Sequence, residues 1–335
     1  MSCAEWEFEE HVSAFFEHEA SCERKRRSCY HRFNFLVFCD VSDSHKTVIY
    51  LFSNINIYAM KLVNDIFKKR PTDSKKGDFG KLLVIGGSKV FSGAPALSAL
   101  AAMNTGCDIV TVAAPKRAAN IIASFSPCLI TVPFDGDFFS PEHVGSLLHI
   151  SEKFDAVIIG PGLEREPIVL RAACEFISKV KVPCVIDADA IHAFSRCVGK
   201  VDVDRFVITP HRHEFFVLSG VDLSTKKDWK KEVEAAAKKS GTVVLLKAHE
   251  DIISDGKNTV VNKSGNPYMT KGGTGDVLTG ICGALLARGV KPFDAAVAGA
   301  YISGAAGDAA AKMHGESLLA TDVIEEICGV INVNL

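Results

Sequence analysis

From Lys81 onward, short apolar β-branched runs alternate with alanine-rich stretches, and this rhythm constrains the fold more than any other feature. The runs are KLLVIGG (81–87), IVTVAAP (109–115), LITVPF (129–134), AVIIGPG (156–162), CVIDADA (184–190), FVITPH (206–211) and VVLLKAH (243–249). They are almost continuously apolar and end at Gly, Pro or a polar residue, which is how strands buried on both faces read. Between them, 94–106, 166–180 and 226–241 predict helices. Repeated β-then-α units require a mostly parallel sheet with helices on both faces. DIISD (251–255) and TVVNK (259–263) flank DGKN, which predicts an antiparallel hairpin near the sheet edge. The last third reads as helical. DVLTGICGALLARG (276–289) has apolar residues at helical spacing, Gly289 as its C-terminal stop and Arg288 suited to the dipole of the last turn. A further helix opens at Pro292.

The formal net charge is -2, so no basic field favours nucleic acid as a partner. No stretch is long and apolar enough to cross a membrane, and the N-terminus lacks the pattern of a secretory signal. The eleven cysteines are scattered without CxxC spacing, which suits reduced thiols and a cytoplasmic location. Composition changes near residue 60: the first sixty residues hold no Gly and no Pro. Residues 1–60 are therefore read as an extension of unassigned role, or as a misassigned start, and 61–335 as the folded domain. His18, Cys22, Cys29 and His31 match no standard zinc spacing.

In open parallel sheets, ligands bind beyond the carboxyl ends of the strands. Gly86-Gly87-Ser88, Gly160-Pro161-Gly162, Asp187, Asp189, Pro210-His211 and Lys247 all fall at such ends and should share one rim. Singly, each reads as a turn glycine, a helix cap or a surface side chain. Gly272-Gly273-Thr274-Gly275 leads directly into the helix begun by Asp276. Free amides at a helix start carry partial positive charge, and glycine lets backbone approach a phosphate. No GxxxxGK[ST] and no GxGxxG occurs, so any phosphate site here is of another kind. Asp276 is either an N-cap or a base kept ionised by the dipole, facing a substrate hydroxyl while the loop amides stabilise a transferring phosphoryl group.

GGTGD at a helix start resembles the anion hole and base of the ribokinase-like superfamily. Residues 76–95, 156–163, 185–191, 208–215, 244–253, 265–280 and 298–311, taken in order, resemble the NAD(P)H-hydrate dehydratase family over about residues 61–330. The resemblance implies a ribokinase-like three-layer α/β sandwich. It implies an enzyme that dehydrates the S-form of NADHX or NADPHX, phosphorylating the C6 hydroxyl and then eliminating phosphate. ADP or ATP is the co-substrate, with ADP to AMP favoured, and Mg2+ is the expected metal, its ligands unassigned.

By motif, Asp276 is the implied base and Gly272, Gly273, Thr274 and Gly275 the anion hole. Ala94, Gly162, His211 and Asp276 are implied to contact the hydrate. Lys247, Ala248, His249, Glu250, Asp251 and Gly275 are implied to hold the nucleotide. Two departures stand out: Ser303 where the family often has His, and Ala248 where Gly is expected. Residues 1–60 are too short for the epimerase domain fused to many relatives, so a separate epimerase is expected, and a homo-oligomer is favoured. The rival reading is a ribokinase-like small-molecule kinase acting on hydroxymethylpyrimidine or hydroxyethylthiazole. VFSGAP and TPHRHEF speak against it.

Overall fold

The computed structural model describes residues 54–197 and 203–332. Nine strands form one sheet in the order β3-β2-β1-β4-β5-β6-β7-β8-β9. They are β1 (Lys81–Ile85), β2 (Ile109–Pro115), β3 (Ile130–Phe134), β4 (Ala156–Ile159), β5 (Cys184–Ile186), β6 (Phe206–Ile208), β7 (Val243–Leu246), β8 (Asp251–Ser254) and β9 (Thr259–Asn262). Pairings from β3 through β7 are parallel. β8 and β9 close the edge as antiparallel neighbours, the hairpin expected around DGKN. Asp255 shapes that turn by accepting from the amides of Lys257 and Asn258.

Eleven helices are described: α1 (Asn54–Ile66), α2 (Gly93–Asn104), α3 (Lys116–Phe125), α4 (Pro141–Ser151), α5 (Pro167–Lys179), α6 (Asp189–Phe194), α7 (Arg212–Ser219), α8 (Trp229–Ser240), α9 (Thr274–Ala287), α10 (Pro292–His314) and α11 (Ala320–Ile331). Side chains alternate across each strand, so Leu82 and Val84 join one core while Leu83 and Ile85 join the other. α1, α2, α3, α9, α10 and α11 cover the first face. α4, α5 and α6 cover the second, and α7 and α8 continue that layer over β7 and β8. This is the three-layer sandwich expected.

The strands end two to four residues before the runs that predicted them in five cases. The Gly, Asp, Pro and Lys residues that follow leave the ladder and turn toward the rim. The boundary expected near residue 60 falls inside α1, whose Ala59 and Val63 are buried in the first core. The His18, Cys22, Cys29 and His31 group, like most of the N-terminal extension, lies outside the described residues. No described helix is long and apolar enough to cross a membrane.

α9 is buried from Val277 through Ala287. Its glycines permit this. A Cβ on Gly283 would lie 2.6 Å from Ile158 Cδ1, and one on Gly280 2.9 Å from Ala101 Cβ. The helix start is thereby driven between α2 and the sheet, toward the strand ends. Arg288, expected in the last turn with Gly289 as the cap, instead occupies the C-cap position itself, and its side chain donates to the Gly106 carbonyl at 3.0 Å.

Candidate functional site

β5, β6 and β7 are adjacent, and each passes from its last paired residue into a polar one within a few positions. Asp187 follows β5, Thr209 and His211 follow β6, and Lys247 follows β7. His211 and Lys247 themselves form an isolated parallel bridge, so the two strand ends stay in register beyond the ladder. The start of α9 meets them from across the sheet.

The centre of this cluster is a buried ion pair. Lys247 Nζ donates to Asp187 Oδ1 at 2.7 Å. Thr279 Oγ1, one turn into α9, donates to Asp187 Oδ2 at 2.6 Å. Glu214 Oε2 lies 4.0 Å from the same ammonium. Burial alone would raise the Asp187 pKa, but Lys247 and the hydroxyl donors outweigh it and hold the carboxyl below its ordinary value. Burial likewise works against the Lys247 ammonium, while Asp187, Glu214 and Asp276 together keep it protonated. Lys247 reaches the glycine turn: a Cβ placed on Gly275 would lie 3.5 Å from its Nζ. The expected approach of Lys247 to the glycine turn is thus present, but through an ammonium already paired with a carboxylate.

Asp276 occupies the third position of α9. The structure corrects the expectation that the helix dipole holds it ionised. Burial first, then the negative charges of Asp187, Glu214 and Asp189, raise its pKa to about 7, against the opposing pull of Lys247. A helix terminus stabilises a nearby anion by about 0.3–1 kcal/mol, too little to offset desolvation beside other carboxylates. Asp276 is also not the helix cap, because Gly273 takes that position in a left-handed conformation, φ 97°. The backbone carbonyl of Asp276 accepts from Ser98 Oγ at 3.0 Å, which ties the start of α9 to α2.

Gly272 has open space where a side chain would be, whereas a Cβ on Gly273 would lie 2.6 Å from Leu97 Cδ1. Thr274 Oγ1 donates to the carbonyls of Met269 and Lys271, fixing the turn from below.

His211 caps α7. Its Nδ1 accepts from the amides of His213 and Glu214, and its own amide donates to Glu214 Oε2 at 2.9 Å. Its Nε2 faces Glu214 Oε1 at 3.3 Å. Burial and then Lys247 depress the His211 pKa, so the ring is neutral with its proton on Nε2. Burial raises Glu214 to about 7. Gly162 (φ 68°) and Ala94 are neighbours: a Cβ on Gly162 would lie 3.6 Å from Ala94 Cβ and 2.8 Å from Phe91 Cβ.

The segment after Lys247 is braced by its own side chains. Asp251 accepts from the Ala248 amide at 3.2 Å and from Asn262 Nδ2 at 3.1 Å, and burial raises its pKa to about 6. Glu250 pairs with Lys263, and His249 is exposed. Asp251 therefore shapes this loop, while His249 and Glu250 border it.

Three residues at the centre were not singled out as site residues in the sequence. Thr279 follows Asp276 by three positions, nearly one helical turn, but a lone threonine in an apolar helix carries no signal. Glu214, three residues after His211, carried the H-x-x-E spacing of a capping box. Thr209 lies 3.5 Å from Thr279 through their hydroxyl oxygens. Asp189 caps nothing: it accepts from the Glu164 amide and from Arg165 Nε.

The profile of one family, NAD(P)H-hydrate dehydratase, matches residues 82–328. The chain is 43% identical over 270 residues to the bifunctional NAD(P)H-hydrate repair enzyme Nnr of Pyrobaculum aerophilum, covering 78% of this chain and 52% of that protein. It thus spans about half the length of that relative. It is 37% identical over 275 residues to the ADP-dependent (S)-NAD(P)H-hydrate dehydratase of Cenarchaeum symbiosum, covering 80% of this chain and 94% of that one. Among solved structures it is similar to the ADP/ATP-dependent NAD(P)H-hydrate dehydratase of Bacillus subtilis co-crystallised with ATP/Mg2+. That match has a TM-score of 0.67 and 25% identity, and covers 82% of this chain and 96% of the other.

Proposed function

Since the chain belongs to the NAD(P)H-hydrate dehydratase family, we propose that it dehydrates the S-form of NADHX and NADPHX at the expense of a nucleotide. ADP, converted to AMP, is the favoured co-substrate, in keeping with the ADP dependence of the Cenarchaeum relative. The observation that carries this reading is the Asp276 carboxyl, with a pKa near 7, at the mouth of a glycine turn and within the field of Lys247.

A base is most effective when its pKa lies near the working pH. Asp276 takes the proton from the C6 hydroxyl as that oxygen attacks the terminal phosphoryl group of the nucleotide. The amides of Gly272, Gly273, Thr274 and Gly275, with the Lys247 ammonium beside them, oppose the charge growing on the transferring group. Hydroxide has been converted to phosphate, a far better leaving group. The ring nitrogen lone pair expels it, and loss of the C5 proton restores the dihydronicotinamide. Ala94, Gly162 and His211 are assigned to the hydrate, and the 247–251 segment with Gly275 to the nucleotide.

Among the described residues no three His, Cys, Asp or Glu side chains form a metal cluster. That fits Mg2+ arriving on the nucleotide phosphates, which needs only one or two protein carboxylates. The ion would supply charge neutralisation of the phosphates. The dehydratase domain is assigned from α1 onward, because Ala59 and Val63 of that helix pack into the first core.

The test is incubation of the protein with NADHX and either ADP or ATP while following the dihydronicotinamide absorbance. Return of NADH with stoichiometric AMP or ADP is expected. Phosphorylation of hydroxymethylpyrimidine or hydroxyethylthiazole without return of NADH would instead establish the kinase reading.

A further inference from the structure

Among the described residues, two that are not glycine adopt positive φ: Glu164 at 68° and Ala188 at 48°. Such backbone costs about 1–3 kcal/mol per residue and persists where surrounding contacts enforce it, often at functional sites. Each of the two immediately precedes one member of an ion pair. Glu164 precedes Arg165, Ala188 precedes Asp189, and Arg165 Nε donates to Asp189 Oδ1 at 2.8 Å. The other Asp189 oxygen accepts from the Glu164 amide at 2.9 Å, closing the loop onto the start of α6.

This arrangement fixes the guanidinium from one side. Asp189 holds Nε, and among the described residues the two terminal nitrogens of Arg165 have no partner. The Arg165 side chain is 51% exposed while that of Asp189 is 16% exposed, so the fork is anchored at its base and open at its tip. A planar guanidinium held this way is preorganised for two parallel bonds to a phosphate.

Its position follows from the chain. Arg165 lies three residues after Gly162, on the loop that leaves β4, so the same loop borders the expected hydrate contact and carries the fork. Two histidines flank it. The charge of Arg165 is felt by both His192 and His211, placing it on the side of the rim where α6 and α7 begin. His192 Nε2 is buried without a hydrogen-bond partner. The field here is not broadly basic, because Glu164 and Glu166 flank Arg165 in sequence and Asp189 is paired with it. Recognition would therefore rest on fork geometry rather than on a diffuse positive patch.

We propose that Arg165, positioned by Asp189, binds a phosphate group of the dinucleotide substrate, with Gly162 between that phosphate and the reacting ring. This rests on the hydrate dehydratase reading for the identity of the ligand. The shared chemistry is a phosphate oxyanion pair, and it comes either from the pyrophosphate bridge or from the 2′-phosphate that distinguishes NADPHX from NADHX.

The experiment is carried out on the full chain with Arg165→Gln, Arg165→Lys and Asp189→Asn. Equilibrium binding of NADPH and of NADH, without added nucleotide, is followed by dihydronicotinamide fluorescence. Steady-state constants are measured for NADHX, NADPHX and ADP. Arg165→Gln is expected to weaken dinucleotide binding and raise KM for the hydrate by about tenfold or more, as the loss of one charge-assisted contact would. KM for ADP should stay within about twofold. Arg165→Lys should recover only part of the loss, because an ammonium lacks the fork, and Asp189→Asn should weaken binding while melting near the parent temperature. Equal losses for NADH and NADPH assign the pyrophosphate, and a loss confined to NADPH assigns the 2′-phosphate. Unchanged dinucleotide affinity in Arg165→Gln, or a loss confined to ADP, overturns the proposal even if hydrate turnover is intact. Absence of hydrate turnover in the parent protein would count against the proposed function alone, since the binding titration stands without it.

Discussion

The ammonium of Lys247 is held 2.7 Å from Asp187 Oδ1, in a pocket that buries the carboxylate and leaves the lysine side chain 18% exposed. Asp187 also satisfies Thr279, so removing Lys247 leaves a buried carboxylate without its cation, and removing Asp187 leaves the ammonium only the more distant Glu214 and Asp276. Breaking one side of a buried pair costs about 3–5 kcal/mol. Asp187→Asn should lower the unfolding free energy measured by chemical denaturation by that order, and adding Lys247→Met should recover part of the loss. A double variant no more stable than the single one would show that the pair is not coupled.

Asp276→Asn should reduce kcat by about 100- to 10,000-fold, the usual contribution of a positioned base. ADP affinity should change little, because the amides of the glycine turn remain in place. Single-turnover assays and nucleotide titration separate the two effects. An active variant would remove Asp276 from the chemistry.

The raised pKa of Asp276, about 7, gives opposite signs for activity and stability. Activity needs the carboxylate, so kcat/KM should rise with pH and level off above about 7. Stability runs the other way. The folded state holds a proton that the unfolded carboxyl, with an ordinary pKa near 4, has already lost. Between about pH 4 and 7, Asp276 and Glu214 therefore destabilise the fold progressively as pH rises. Asp187 has the opposite sign: its pKa is held low by Lys247, and its contribution is lost as pH falls below the ordinary carboxylate range. The groups facing Asp276 are Asp187, Lys247, Glu214 and Asp189, so Asp187→Asn should also displace the pH–rate midpoint. A pH-independent kcat/KM between 5 and 8 would contradict the assignment.

Two adjacent glycines should respond differently to alanine. Gly273 has φ 97° and no room for a Cβ beside Leu97, so Gly273→Ala should destabilise by about 1–3 kcal/mol. Gly272 faces open space, so Gly272→Ala should fold within about 0.5 kcal/mol of the parent. Its methyl group would still crowd an approaching phosphate, so KM for the nucleotide should rise while melting is unchanged. Thermal melts and steady-state kinetics on the pair check both halves.

The strands were legible because burial on both faces leaves continuous apolar runs, as in AVII and VVLL. The rim was legible for the same reason: polar residues stand out where such runs stop. Pairing across the rim was not. Nothing local connects Lys247 to Asp187, sixty positions away, or Thr279 to either. The ionisation of Asp276 was misjudged because the helix end is visible in sequence while the neighbouring carboxylates are brought in by β5 and β6. Arg165 was overlooked because its meaning depends on Asp189 and on two strained backbone positions that composition does not reveal.

The bonds that fix the start of α9 connect distant parts of the chain, with Ser98 178 positions from Asp276 and Asp187 92 positions from Thr279. Long-range closures of this kind are slow steps in folding. On the ribosome the strand ends and the Lys247–Asp187 pair can form before α9 has been made. Chain order therefore makes Asp276 the last of these charged groups to reach the rim, after Asp187, Glu214 and Lys247.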